Sequence, residues 1–530
     1  MHSEPHRSRH AQGERNLRFF GFDVHGPVFF SSAALLLAIV AWVIAYPALA
    51  TEFFADALSF VTTQAGGLMG ALGNLFVLFC VFLIVSPYGS VRLGGPQAKP
   101  EFSNLAWFAM LFAAGMGIGM VFYSVAEPIS HFSSSMAATT AQAAAAAPLG
   151  GAAGDAAASA RLAMSATIFH WTLHPWSIFA VVAVGLALFT YNHGLPLTIR
   201  SSLYPLFGER IWGPLGHVID GLAIIATVAG LATSLGLGAQ QALAGMTYLF
   251  DIEFSALNQI LLIVVIAAVT TTSVVLGLER GVKWLSLINV GLAAALCAFV
   301  VVVGPTSSIL AGLGQNVAAL ARELPALMSV SGGRVDDSFF RDWTIFYWAW
   351  WTAWAPFVGL FIARISRGRT VRETVFYVVL LPSIVSVIWF TAFGALAIEQ
   401  MVAGTNPALI DSELPLKLFV ALRALPLAEI SCFVGILLVM IFFVTSWDSG
   451  TLVLDALSAG GKTETPKLQA VFWIFVVGAA AVALLLGGGL RSLQSGSVVT
   501  GLPFMIVIAL ICVGTLRGLV QARRAQAGPV

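Results

Sequence analysis

Residues 115–119 read Gly-Met-Gly-Ile-Gly, three glycines at alternate positions inside an apolar stretch long enough to cross a membrane. Each glycine costs about 1 kcal/mol in a helix interior, so the run favours an unwound backbone where the flanking composition asks for a helix. In a bilayer, freed carbonyls are tolerated only where they face protein or a water-filled cavity, and at the midplane they suit a sodium ion. Gly115 and Gly119, four apart, also fit plain close packing of two helices. The added Gly117 and a second feature downstream favour the break.

That second feature is Tyr347-Trp348-Ala349-Trp350-Trp351-Thr352-Ala353-Trp354-Ala355-Pro356, with four tryptophans in seven residues. Facing lipid, each indole N–H would lack a partner. Pro356 removes a backbone hydrogen bond just beyond them, which predicts a second broken helix. Breaks in the third and eighth spans, five helices apart, are what two inverted five-helix repeats produce, with a binding site between them. A third cluster, His170-Trp171-Thr172-Leu173-His174-Pro175-Trp176, lies in the fourth span. Interfacial belts account for isolated membrane tryptophans such as Trp42, Trp107 and Trp389, but do not require clusters around prolines. An indole face attracts a cation that has no N–H to donate, by about 0.5 to 2 kcal/mol per ring. A trimethylammonium group is the ligand these clusters suit.

Composition agrees. The 530 residues are 58% hydrophobic and 10% charged, with a mean hydropathy of +0.91, beyond what a soluble protein of this size tolerates. Apolar stretches near 28–48, 66–86, 104–125, 166–189, 218–246, 256–277, 284–304, 342–363, 375–398, 429–457, 467–487 and 497–516 predict an all-α polytopic membrane protein of about twelve transmembrane helices. With the N-terminus inside, 19 of the 26 Lys and Arg fall on the cytoplasmic side, the asymmetry of the positive-inside rule. Both termini are expected to be cytoplasmic in a bacterial inner membrane, and the polar, basic first residues read as a tail rather than a signal peptide.

Domain organisation follows as a cytoplasmic tail (1–27), two additional helices and a loop (28–103), a first five-helix repeat (104–304), an external loop (305–341), a second repeat (342–516) and a short cytoplasmic tail (517–530). The segment from Ser133 to about Ala160 is expected to be a flexible external connection. Thr306 to Ala326 reads as an amphipathic helix on the membrane surface or an ordinary loop helix over the bundle. Cys80, Cys297, Cys432 and Cys512 are isolated in apolar runs and read as packing residues. Without a cysteine cluster, a haem-spaced histidine pair or a nucleophile–base arrangement, an enzyme or redox subunit is disfavoured and no cofactor is expected.

The sequence resembles the betaine/choline/carnitine transporters from about Val28 to Gly514, through GMGIGMVFYSVAEPISHF, HWTLHPW, ATSLGLGAQQ and FYWAWWTAWAPFVGLFIARISRGRTVRE. The resemblance implies a leucine-transporter-like fold, two inverted repeats preceded by two extra helices, often assembled as a homotrimer. It implies substrate contacts from Trp171, Trp176, Trp350, Trp351 and Trp354, with Phe179 where a tyrosine is usual; the broken span adds Met116, Gly117 and Gly119. A sodium site is implied at Ala113, Met116, Phe442, Thr445 and Ser446, and a second at Thr227, Phe357 and Phe361, with Leu231 where an accompanying threonine is usual and Trp447 where a small residue is. Intramembrane Ser and Thr also commonly bond their own helix, so Thr445 and Ser446 alone leave both readings open. Sodium-independent antiporters of the family carry a fixed arginine; residues 221–250 contain no Lys or Arg.

The expected function is therefore sodium-coupled uptake of a compatible solute, with lipids as its surroundings and no nucleic-acid partner. Gly119 replaces the acidic residue that choline-transporting members tend to have, which favours glycine betaine; choline, carnitine and ectoine stay open. Proton coupling is the alternative, through Asp448 as an intramembrane carboxylate. His170 and His174 are expected to be packing residues, and Glu127 and Asp220 to be solvated or capping residues near span ends.

Overall fold

The computed structural model describes residues 12–115, 117–277, 279–329 and 337–527. It opens with a short hairpin, β1 (Leu17–Phe19) and β2 (Phe22–Val24), paired antiparallel. Helices follow: α1 (Gly26–Ala45), α2 (Pro47–Gln64), α3 (Gly66–Val85), α4 (Asn104–Gly115), α5 (Ile118–Met136), α6 (Ala156–Trp171), α7 (Leu173–Ala187) and α8 (Pro214–Phe250). The second half comprises α9 (Ala256–Leu276), α10 (Glu279–Val303), α11 (Thr306–Leu327), α12 (Ile345–Ile365), α13 (Val371–Val402), α14 (Ala428–Ser458), α15 (Lys467–Leu486) and α16 (Leu490–Ala527). Among the described residues, 11 helical segments are long and apolar enough to cross a membrane, with α6 and α7 counted as one. The chain is an all-α multi-pass membrane protein.

Burial sorts these helices into layers. In the most apolar stretch of α6–α7, 94% of residues are inside the protein, against 22% for α9. The segments α6–α7, α8 and α12 therefore form the centre, and α9 and α10 the rim. Along α9, Leu257, Leu261, Val264, Val265 and Val269 are exposed, an apolar surface of the kind that lipid or a protein partner covers. α12 packs on α7, α8 and α16, and α14 lies along α8.

The third span is broken as expected: α4 ends at Gly115 and α5 starts at Ile118, with Gly117 extended between them (φ −162°, ψ 174°). The eighth span is not. α12 stays helical through Pro356, and a π turn at Phe340–Thr344 precedes it. One missing hydrogen bond is absorbed there because the helix is packed against neighbours on several sides. The second break lies in the fourth span, at Thr172 (φ −115°, ψ −105°), between α6 and α7. Pro175 explains it: the ring can neither donate to the Trp171 carbonyl four residues earlier nor fit beside it.

Two connections differ from expectation. The Ser133–Ala160 stretch is folded, with α5 running to Met136, a helix at Ala141–Ala145 capped by Thr140, and Asp155 capping α6. Ser135 and Ser159 tie it together, their hydroxyls 2.9 Å apart and both bonded to the backbone of Ala152. α2 occupies the sequence between the first two expected spans. The external loop does contain a long helix, α11, which packs on α6 and α13.

The N-terminal hairpin is anchored rather than loose. Burial works against the Asp23 charge, but hydrogen bonds from Lys462 (2.6 Å) and Asn16 (2.9 Å) and the charges of Lys462 and Arg18 outweigh it, holding the carboxyl below its ordinary value. His25, at the start of α1, is desolvated and lies near the charges of Arg200 and His217, which push it down to about 4.

Candidate functional site

The two breaks bring the predicted aromatic residues to one place. A narrow cavity of about 50 Å³ is lined by Gly117 and Gly119 of the broken span, Trp171, Trp176 and Phe179 across the α6–α7 break, and Trp350, Trp351 and Trp354 of α12. Each ring is fixed by a neighbour. Trp350 stacks with both Phe346 (5.5 Å, 18°) and Trp351 (5.2 Å, 20°). Trp171 meets Trp351 edge to face at 4.9 Å, and Trp176 does the same with Phe179 at 5.3 Å. None of the described lining residues is charged.

Four of the indole N–H groups have acceptors, as burial in an apolar setting requires. Trp350 and Trp354 both donate to the Ser234 hydroxyl of α8, at 3.2 and 3.1 Å, and Trp354 also to the Gly230 carbonyl. Gly230 is required there: a Cβ would sit 2.9 Å from the Trp354 ring. Trp351 donates to the His170 carbonyl, 3.1 Å away and freed by the chain break. Trp171 donates to Glu127 at 2.7 Å.

Glu127 is where the sequence reading fails most clearly. It is fully buried, and four neighbours meet its carboxylate: Trp171 and the Tyr347 hydroxyl on one oxygen, His170 Nδ1 (2.6 Å) and His131 Nε2 (3.3 Å) on the other. The ligand atoms of Glu127, His131 and His170 lie within 4.8 Å of one another, near enough to hold a metal ion. As placed, they serve one another as hydrogen-bond partners. Asp220 is equally buried; it accepts from the Arg200 backbone N–H at 3.0 Å and pairs with its guanidinium at 2.6 Å. The signal for Glu127 was present in the sequence. Buried indoles need acceptors, and Glu127 is the only carboxylate in the span that carries the break. His170 and His174 are buried and bonded, His170 to Thr344 and Glu127, and His174 to Asn74 while stacked on Trp348 at 4.4 Å.

The predicted ion ligands are partly assembled. Phe442, Thr445 and Ser446 of α14 line a second cavity of about 190 Å³ with Phe357 and Phe361 of α12 and Asn289 of α10. Trp354 and Val358 border both cavities. Thr445 bonds the Ile441 carbonyl of its own helix at 3.0 Å. Thr227 does not join this cavity; it is buried in α8 and donates to the Ala223 carbonyl at 2.7 Å. Met116 and the side chain of Ala113 lie outside the described residues. Asp448 is buried one turn beyond Thr445 and lines neither cavity. Two departures from the family pattern are matched by glycines: Trp447 lies over Gly478, and Leu231 over Gly450, where a Cβ would come within 3.0 and 2.6 Å respectively.

Residues 27–524 match the betaine/carnitine/choline family of transporters. A glycine betaine/proline/choline transporter of Vibrio parahaemolyticus is 51% identical, over 95% of this chain and 92% of its own length. A glycine betaine transporter of the same organism is 45% identical, over 97% of each chain. A glycine betaine transporter of Bacillus subtilis is 39% identical, over 94% of this chain and 95% of its own.

Proposed function

Because the chain belongs to the betaine/carnitine/choline family of transporters, we propose that it imports glycine betaine by sodium-coupled symport and alternating access. Transport of betaine-type solutes is common ground for the family and for the similar proteins. The cavity supports the finer statement. It offers several aromatic faces, no charged lining group and two broken segments, which suits a trimethylammonium head through ring faces and a carboxylate through the N–H groups at the start of α5. Choline would use the first of these and not the second.

Sodium is favoured by the second cavity, where Thr445, Ser446 and Ser449 present hydroxyls and no carboxylate is among the described lining residues, a hard-oxygen environment. At about 100 mV each inward cation contributes roughly 2.3 kcal/mol, so two sodium ions per solute support on the order of a thousandfold accumulation. Placement in a bacterial inner membrane with both termini cytoplasmic, and assembly as a homotrimer, complete the proposal.

The observation that carries it is the convergence of five tryptophans from three helices, α6, α7 and α12, on one cavity. The test is uptake of labelled betaine, choline, carnitine and ectoine by purified protein in liposomes, with sodium and proton gradients imposed separately. Betaine uptake that follows sodium is the expected result. Uptake that persists without sodium and follows protons would replace sodium with the proton.

A further inference from the structure

Glu127 does not line the cavity, yet it touches the groups that shape it. Trp171 lines the cavity and holds one Glu127 oxygen by its N–H. Tyr347, bonded to the same oxygen, stacks on Trp351 at 6.1 Å and on His170 at 4.7 Å. The His170 carbonyl in turn holds the Trp351 indole. One carboxylate therefore fixes two walls of the aromatic cage, directly and through a single intermediary.

Its charge state follows from its partners. A Trp N–H can only donate, and an ionised carboxylate offers about four acceptor sites, which matches the four neighbours found. His170 Nδ1 lies 2.6 Å from one Glu127 oxygen and its Nε2 3.0 Å from the Thr344 hydroxyl, while the two donors on the other oxygen, the Trp171 indole and the Tyr347 phenol, carry no charge of their own to offset the carboxylate beside the cage. Hydrogen bonding of the indole N–H to an anion also enriches the ring face toward a cation. The lining itself carries no charge.

We propose that Glu127 is a positioning and specificity residue: it holds Trp171 and Tyr347 in place and supplies the negative charge by which an uncharged cage distinguishes a quaternary ammonium group from a neutral group of the same shape. This rests on the reading of the cavity as a quaternary-ammonium site. A purely structural role would hold the rings and leave that distinction untouched.

The experiment is equilibrium binding to the purified full-length protein, read by tryptophan fluorescence, for glycine betaine, choline and 3,3-dimethyl-1-butanol, the uncharged isostere of choline. Wild type is expected to bind betaine and choline well ahead of the alcohol; if it does not, the quaternary-ammonium reading fails at that step, before any variant is compared. Glu127→Gln, of the same shape but uncharged and with one acceptor oxygen replaced by a donor, is expected to weaken choline and betaine by about tenfold more than the alcohol. Equal weakening of all three, or no change, overturns the proposal. If Glu127→Gln does not fold, Tyr347→Phe decides: it removes a positioning contact and keeps the charge. All three ligands should then weaken together with the choline-to-alcohol ratio preserved, and a collapse of that ratio overturns the proposal.

Discussion

Replacing Gly119 with alanine probes the cage at its tightest point. A Cβ there would lie 2.3 Å from Trp350 Cη2, 3.0 Å from Cζ3 of the same ring and 3.1 Å from Trp171 Cη2. Relief requires roughly 1 Å of movement to restore ordinary contact. The Trp350 ring cannot swing freely, because Phe346 and Trp351 both stack with it and Ser234 holds its N–H. Overpacking of this kind costs about 1–3 kcal/mol, partly offset by the gain of about 1 kcal/mol from alanine over glycine in a helix. Overall stability should therefore fall by no more than about 2 kcal/mol, while the cage loses its geometry. Disturbing the two rings, each worth about 0.5–2 kcal/mol to a bound cation, predicts betaine binding about 10- to 30-fold weaker. Gly221→Ala in α8 is the matched control, since no described atom lies within 4 Å of its Cβ and it lines neither cavity. The assay is tryptophan-fluorescence titration with betaine, alongside melting temperatures in detergent. Unchanged affinity in Gly119→Ala would refute the claim that these rings form the site, as would equal losses in both variants.

Further outcomes follow from the other clusters. Replacing both Thr445 and Ser446 with alanine should raise the sodium concentration for half-maximal uptake by tenfold or more, with betaine binding at saturating sodium nearly unchanged; an unaltered sodium dependence would exclude them as ligands. Asp220→Asn leaves the buried Arg200 guanidinium without its counter-charge, a loss of about 3–5 kcal/mol that should appear as a large drop in melting temperature. A small drop would mean that the pair contributes little. Because the folded Asp23 carboxyl is held below its ordinary value of 3.8, its contribution to hairpin docking is fully present above that value and is lost as pH falls through the lowered one. The protection of residues 17–24 from hydrogen exchange, measured against the intrinsic rate at each pH, should therefore be high at pH 7 and fall in strong acid, and Lys462→Met should lower it at pH 7; protection independent of both would mean the hairpin is held by its apolar contacts.

Much of this protein was legible in the chain because a bilayer leaves little choice. Uninterrupted apolar runs must be helices, and the run from 428 to 458 emerges within a residue or so of its expected limits. The triple glycine did unwind the third span, and the tryptophans did converge, since each property is local or follows from the shortage of acceptors in hydrocarbon. What the chain alone could not fix is which proline breaks its helix. Pro175 and Pro356 impose the same local defect, yet α12 stays continuous where several helices brace it, while the fourth span opens at Thr172. Glu127 shows the same division. As a letter beside a proline it suggested a solvated span end; only the fold surrounds it with an indole, a phenol and two imidazoles drawn from three segments far apart in sequence. Solvation is a property of the assembled bundle, and so was decided by tertiary structure.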